Sequence, residues 1–306
     1  MPNAWMIRSG RGAEFLHEFL SKNIAAIGWH DLESIATDDV ASLKARLAEC
    51  YPHYRKGQIA VTAGMLRRFR DEIAVGDRVV TYDPERRIYH LGTVTSDYRY
   101  DPEALPNLPQ VRSVTWEQET ARDDLKQSTR NKLGAISTLF SIDTEACADL
   151  ENPKQQPEPA ASSTTVTSDD ESVEDDIIED VGARALELIK DTVRSLDDRQ
   201  MEDLLAGILR AMGYKSKVSP VGPDRGVDVT ASPDGLGLEQ PRIKAEVKHR
   251  PTTQMGAQDV RNFIATLRPG DSGLYLSTGG FSENHAMRPS GPTFRFGCLS
   301  SMTLSN

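Results

Sequence analysis

Three charged side chains in the C-terminal third of the chain have types and spacing that could do chemistry. Asp228 closes the stretch "GPDRGVD", and further on "AEVKHR" offers Glu246 and Lys248 two residues apart. On a β-strand alternate side chains share a face, so Glu246 and Lys248 project together while Val247 enters the opposite, packed side. A turn at "PDGLG", Pro233 to Gly237, returns the chain as a hairpin and brings Asp228 within metal-sharing distance of Glu246. A hard divalent cation such as Mg²⁺ takes oxygen ligands, commonly one or two carboxylates with a substrate phosphate, which makes Asp228 and Glu246 candidate metal ligands. Such an ion polarises a phosphodiester and acidifies a water, and Lys248 would orient that water or stabilise the charge developing at phosphorus. Glu202 is a candidate third carboxylate, although an acid in the first turn of a helix is also favoured by the helix dipole alone. Each piece by itself is ordinary, since an acid-x-lysine on a strand is far more often a solvated charge pair.

The elements that must position these residues are legible around them. "DVGARALELIKDTVRSL" and "DDRQMEDLLAGILRAMGYK" have helical periodicity, the second with Leu204, Leu205, Ile208, Leu209 and Met212 on one side and a stop at Gly213. "KSKVSPVG" and "GVDVTAS" read as strands, then "RIKAEVKH" after the turn, a helix carrying Val260, Phe263, Ile264 and Leu267, and the buried strand "SGLYLST". The order is α, β, β, β, α, β, a mixed sheet flanked by helices. The stretch "MRPSGPTFRFGCLSSMTLSN" then shows neither helix nor strand periodicity. It reads as a truncated or frame-shifted end, atypical from about residue 285, that would leave a sheet edge exposed.

The span from about Asp197 to Phe281 resembles the catalytic domain of the Mrr-type restriction endonucleases, a branch of the PD-(D/E)xK nuclease superfamily. The resemblance runs through "MEDLLAGILRAMGY", "GPDRGVDV", "AEVKHR", "VRNF" and "GLYLSTGGFS", in the family's order. It implies that Asp228, Glu246 and Lys248 are catalytic, that Glu202 supports them, and that Gln258 in the following helix contacts the site. Many Mrr relatives carry Gln-x-Lys where this chain has Glu246-Val247-Lys248, a departure toward the general superfamily pattern. Where relatives tend to have two glycines after the first aspartate, this chain reads Asp224-Arg225-Gly226, and Arg225 is a candidate phosphate contact or a solvent-facing residue.

Upstream, "AWMIRSG" and "IAAIGWH" read as short strands around the helix "AEFLHEFLSKN", followed by helices over Ala41 to Cys50 and Thr62 to Phe69. "GDRVVTYDPERRIYHLGTVTSDYRY" alternates as a hairpin and "VRSVTW" as a further strand, so the segment is a mixed α/β module around a curved sheet, read as a small barrel. "AWMIRSG", "IAAIGWH", "GDRVVTYDP" and "YHLGTVTSDYRYD" resemble the PUA-like superfamily near its EVE and YTH members. That resemblance implies nucleic-acid binding, with a modified or extruded base in an aromatic-walled pocket. Trp5, Trp29, Tyr82 and Trp116 are the candidate stacking platforms, Trp29 the foremost, and Arg8, Arg11, Arg67 and Arg68 could hold the backbone.

Between the two lies a segment rich in Pro, Ser, Thr, Asp and Glu, too poor in large apolar residues to offset the cost of ordering. Residues 144–180 hold one basic and twelve acidic residues, so the net charge of −10 resides there, and both flanking parts are near neutral. The acidity therefore does not exclude a polyanionic partner. The expected organisation is a reader domain over 1–143, a flexible acidic linker over 144–180 and a nuclease domain over 181–306.

The chain has 306 residues, 38% of them hydrophobic, with no apolar run long enough to span a bilayer. Its N-terminus lacks a secretory pattern, and three scattered cysteines (Cys50, Cys147, Cys298) cannot close a zinc site or a disulfide framework, so a cytoplasmic location is expected. The reading is a Mg²⁺-dependent DNA endonuclease of a restriction system, acting on double-stranded DNA and directed to modified, methylated DNA by the N-terminal reader, with a homo-oligomer left open. The competing reading is a non-cleaving modified-DNA-binding protein whose altered end disables the nuclease domain.

Overall fold

The computed structural model describes residues 2–135, 137–153, 174–220, 226–282 and 294–298; for 174–181, 183, 184 and 294–298 it describes the backbone alone. The chain divides into two compact units, Met1–Glu187 and Leu188–Asn306. Both are mixed α/β.

In the first unit the strands are β1 (Ala4–Ile7), β2 (Ile24–Ile27), β3 (Arg78–Asp83), β4 (Ile88–Val94), β5 (Arg99–Tyr100), β6 (Gln110–Ala121) and β7 (Leu139–Ile142). They form one curled sheet in the order β2-β6-β4-β3-β1-β7, with β5 paired to β6. The sheet curls into a half-barrel, the curved mixed α/β module expected from the sequence. Its curl comes from β6, which pairs with β2 through one half and with β4 through the other, and from a bulge at Leu91/Gly92. Gly92 is required there, because a Cβ would lie 2.6 Å from the Thr115 carbonyl oxygen.

The short strands are apolar on both faces because both faces are covered. Trp5 and Ile7 enter a core with Phe19, Leu43, Leu66 and Val79, from α1 (Leu16–Lys22), α2 (Val40–Cys50), α3 (Lys56–Arg67) and β3. Ala4 and Met6 enter a second core with Val80, Leu91, Leu133 and Leu150, closed by α4 (Gln127–Leu133) and α5 (Thr144–Glu151). That second core corrects the expected linker. The α5 segment is capped by the Asp143 carboxylate, which accepts from Ala146 N–H at 2.8 Å, and it buries Ala146 and Leu150. Residues 144–151 are thus part of the folded unit; acidic composition concealed two core residues spaced four apart. Residues 154–173 of the expected linker lie outside the described residues. Helix α6 (Glu174–Arg194) follows.

The second unit contains α7 (Asp198–Ala211), β8 (Lys215–Val218), β9 (Val229–Ser232), β10 (Arg242–Lys248), α8 (Ala257–Ile264), β11 (Asp271–Ser277) and β12 (Phe294–Cys298). The sheet order is β12-β11-β10-β9-β8, parallel across β12-β11-β10 and antiparallel across β10-β9-β8. The start of α7 is a reciprocal cap: Gln200 N–H donates to Asp197 at 2.7 Å and Asp197 N–H donates to the Gln200 side chain at 2.9 Å. It ends where Gly213 turns left-handed, with Tyr214 N–H closing onto the Leu209 carbonyl. Met201, Leu205, Ala206 and Leu209 of α7 pack on Val229, Ala231, Ala245, Val247 and Leu276, on one face of β9, β10 and β11. On the other face, Phe263 of α8 packs with Met255 and Tyr275.

Strand β12 corrects the expectation for the tail. The sequence there lacks strand periodicity, yet Phe294–Cys298 runs parallel to β11 from Gly273 to Ser277, so the expected exposed edge of β11 is paired. Backbone pairing at a sheet edge imposes little side-chain alternation, which is why no pattern announced it. Residues 283–293 and 299–306 lie outside the described residues.

Candidate active site

The ladder between β9 and β10 ends at Val229 and Ala245, and there Asp228 takes over. Its backbone N–H donates to the Ala245 carbonyl at 2.8 Å, and its carboxylate accepts from Val247 N–H at 2.6 Å. A side chain thus replaces the backbone acceptor that a longer β9 would have offered. Val229 shares the α7 face with Ala245, so Asp228 belongs to the opposite face, with Glu246 and Lys248. Glu246 pairs in register with Tyr275 of β11, which places that ring on the same face.

Within this face Lys248 Nζ lies 2.6 Å from Glu246 Oε1. Asp228 is 7% exposed and Glu246 8%, so two carboxylates are held largely away from water with one ammonium beside them. Gly226, in left-handed backbone at φ +75°, runs alongside: a Cβ there would sit 3.7 Å from Glu246 Oε2. Tyr275 is 1% exposed, and its hydroxyl has no hydrogen-bond partner among the described residues. Burial, then the charge of Glu246, holds the Tyr275 phenol above its ordinary pKa, so it remains a donor. Its ring rests on Phe263 and Phe281 at centroid distances of 5.5 and 5.9 Å.

Among the described residues no three His, Cys, Asp or Glu side chains converge as a metal cluster, so the donor set in view is Asp228 and Glu246. That set fits a hard divalent cation: both donors are carboxylate oxygens, both are nearly buried, and an unsatisfied hydroxyl stands on the same face. Glu202 does not join them as a third member of such a cluster. Its carboxylate pairs with Arg199 at 2.9 Å, and the same guanidinium donates to the carbonyl of Ser219, whose own N–H donates to the Asp228 carbonyl at 2.8 Å. Gln258 is exposed and bonds along its own helix, donating to Asn262 at 2.8 Å and accepting from Arg261 at 3.2 Å. Arg225 and Asp224 lie outside the described residues. Tyr275 is the site residue that sequence reasoning missed. An apolar strand flanked by glycine predicted burial, and only the strand register shows that it neighbours Glu246.

In the first unit the aromatic candidates separate. Trp5 is 5% exposed and its indole N–H donates to Asp77 at 2.9 Å, so it is a core residue and not a stacking platform; strand aromatics with a buried polar partner are packed on both ring faces. Trp116 is half-buried against the core with its N–H on the Phe19 carbonyl at 2.9 Å. Tyr82 lies against Tyr89 at a centroid distance of 4.6 Å, and its hydroxyl donates to Glu187 at 2.8 Å. Trp29 is half-buried in left-handed backbone at φ 67°. Two residues on, Asp31 N–H donates to the Tyr51 hydroxyl at 3.4 Å, which brings Tyr51, His53 and Tyr54 to the same corner; Tyr51 and Tyr54 stack at 5.0 Å. The run "YPHY" directly after a helix was the signal that could have found them. Of the basic candidates, Arg8 is tied to the carbonyls of Ser137 and Ala135 and Arg67 to Glu72.

Comparison with known proteins follows this division. Residues 193–287 match the family model Mrr_cat, described as "Restriction endonuclease". Residues 5–143 match DUF8426, a domain of unknown function. The segment that holds Asp228, Glu246 and Lys248 is thus similar to restriction-endonuclease domains, and the N-terminal segment to a family with no assigned role. No curated protein sequence matches it significantly. A solved structure, "MspJI Restriction Endonuclease in Complex with 27-mer Oligonucleotide", is 14% identical with a TM-score of 0.25, covering 74% of this chain. The chain spans 59% of the length of that one.

Proposed function

We propose that the chain is a DNA endonuclease of a restriction system that hydrolyses phosphodiester bonds with Mg²⁺ and is directed to modified DNA by its N-terminal unit. The observation that carries the reading is the seating of Asp228 and Glu246 on one buried face, with Lys248 2.6 Å from Glu246, inside the segment that matches the restriction-endonuclease family. Asp228 and Glu246 would hold the cation, which when bound supplies Lewis acidity toward the phosphate oxygens and toward a water. Lys248 places an ammonium where negative charge grows as water attacks phosphorus, and its proton can follow that charge. The Val247 amide fixes one oxygen of Asp228, leaving the carboxylate a single orientation. The Trp29, Tyr51 and Tyr54 corner offers flat apolar faces on which a base can stack, at roughly 1–3 kcal/mol per base.

The test is cleavage of methylated and unmethylated plasmid with and without Mg²⁺, with Asp228→Ala alongside. Metal-dependent cutting of the methylated plasmid, abolished in Asp228→Ala, is expected. No cutting of either plasmid by the folded protein removes the enzyme reading, and equal cutting of both removes the modification reader.

A further inference from the structure

Outside the nuclease face, three donors converge on one carboxylate oxygen. In the first unit, Arg87 Nη1 lies 2.6 Å from Glu187 Oε2, the Tyr82 hydroxyl donates to the same oxygen at 2.8 Å, and Arg122 Nε stands 3.6 Å away. The donors are built in. The Arg87 and Arg122 side chains are 8% and 4% exposed. Arg122 Nη1 donates to the Tyr89 hydroxyl at 2.6 Å, its guanidinium lies 5.9 Å from the Tyr82 ring centre, and its backbone N–H donates to the Arg87 carbonyl at 2.8 Å. Asp123 holds the other arm of Arg87 at 2.7 Å. Burial, then the charge of Glu187, keeps the Tyr82 phenol protonated and donating.

Two features set this slot apart from a structural ion pair. Arg87 adopts left-handed backbone at φ 56°, a conformation unfavourable to a residue that bears a side chain. That strain sits in the tight turn between β3 and β4, at the residue whose guanidinium reaches the oxyanion. The occupant, meanwhile, brings little with it. On α6 the residues flanking Glu187 are largely in solvent: Leu186 is 36% exposed, Leu188 42% and Ile189 58%. Glu187 enters the slot as a charge, and a charge is what another anion can replace.

We propose that Tyr82, Arg87 and Arg122 form an oxyanion site that takes a phosphate of nucleic acid, and that Glu187 is its occupant until nucleic acid arrives. A phosphodiester carries the same single charge as the carboxylate it displaces, so the exchange leaves the two buried guanidiniums balanced. Its two non-bridging oxygens suit a guanidinium fork and a phenol donor better than one carboxylate oxygen does. The ligand assignment rests on DNA being the partner; the anion site does not.

The experiment uses the full chain and has two arms. In the first, a labelled duplex is titrated without metal into wild type, Glu187→Gln, Glu119→Gln and Glu187→Gln/Arg87→Lys, with circular dichroism confirming that each is folded. Glu119 is an exposed acid of the same unit and reports the general effect of losing one negative charge. Glu187→Gln should bind about tenfold tighter, as expected for removal of a charge-assisted competitor. Glu119→Gln should change affinity less than about twofold, and the Arg87→Lys change should cancel the gain. Equal affinities for wild type and Glu187→Gln, or an equal gain in Glu119→Gln, overturns nucleic-acid phosphate as the ligand. In the second arm, inorganic phosphate is added at constant ionic strength and the protection of the β3 and β4 segments against amide exchange is followed. A larger rise in Glu187→Gln than in wild type supports the anion site whether or not any duplex binds. Equal rises overturn it, because phosphate is then acting only through the solvent.

Discussion

The ion pair between Lys248 and Glu246 is the part of the nuclease face whose energetics can be worked through. Replacing Lys248 by Met keeps the apolar stem and removes the ammonium, which strands a carboxylate that is only 10% exposed and shares its face with Asp228. Breaking a fully buried pair costs about 3–5 kcal/mol, most of it the uncompensated charge. Lys248 is 30% exposed, so water partly replaces it, and the cost falls to about 1–3 kcal/mol. Glu246→Gln alone leaves the ammonium free to reach solvent and should cost less. In the double variant both charges are gone, and the two losses should fail to add by about 1–2 kcal/mol. If Asp228 and Glu246 hold the cation as proposed, added Mg²⁺ should restore Lys248→Met more than wild type, because the ion would substitute for the missing charge. Because the chain has two units, a global denaturation curve mixes them, and amide exchange of the β10 and β11 segments read by mass spectrometry is the suitable assay. Additivity of the single variants within about 0.5 kcal/mol refutes the reasoning, since it means that the face is wet enough to screen its own charges.

Two further predictions concern buried polar groups. Tyr275→Phe keeps the ring contacts with Phe263 and Phe281 and deletes a hydroxyl without a partner among the described residues, so protection of β11 in metal-free protein should rise by about 1 kcal/mol; a fall shows that the hydroxyl is satisfied in solution. His90, 3% exposed on β4, has its pKa lowered by burial, so the folded ring stays neutral while the unfolded one takes a proton near pH ~6.5. Its contribution is therefore present above that pH and is lost as pH falls toward and through the folded value. His90→Gln should flatten the decline of the first unit's unfolding midpoint between neutral and mildly acid pH, and an unchanged slope contradicts the assignment.

Patterned segments were the legible part of the sequence. The apolar stripe of α7, the alternation of β3 and β4, and the runs "RIKAEVKH" and "SGLYLST" each carry a period that burial enforces, and each forms the expected element. What stayed hidden lacks a period. The four residues of β7 and five of β12 are too short to show one, and α5 buries only Ala146, Asp149 and Leu150 behind an acidic surface. Trp5 and Trp29 show the same limit for aromatic residues. Trp5 lies within one short apolar strand and Trp29 just after another, yet one is pinned to Asp77 in the core and the other left half-buried at a turn, a distinction made by a partner 72 residues away.

The candidate site shows why spacing alone was suggestive and not sufficient. An acid-x-lysine places two side chains on one face, as any strand does. What makes the triplet a seat for Asp228 is its middle residue. Val247 turns its side chain into the core under α7, and its N–H, left without a backbone acceptor where β9 ends, binds the Asp228 carboxylate at 2.6 Å. Three consecutive residues of β10 thus supply a carboxylate, an anchoring amide and an ammonium, and the ladder's early end supplies the space. Lengthening the pairing by one residue would give that amide a carbonyl and release Asp228. Gly226 precedes this point in left-handed backbone at φ +75°, where an added Cβ would sit 3.7 Å from Glu246 Oε2. The glycine and the two acids therefore form one device, in which a strand is stopped one residue short so that a side chain can finish it.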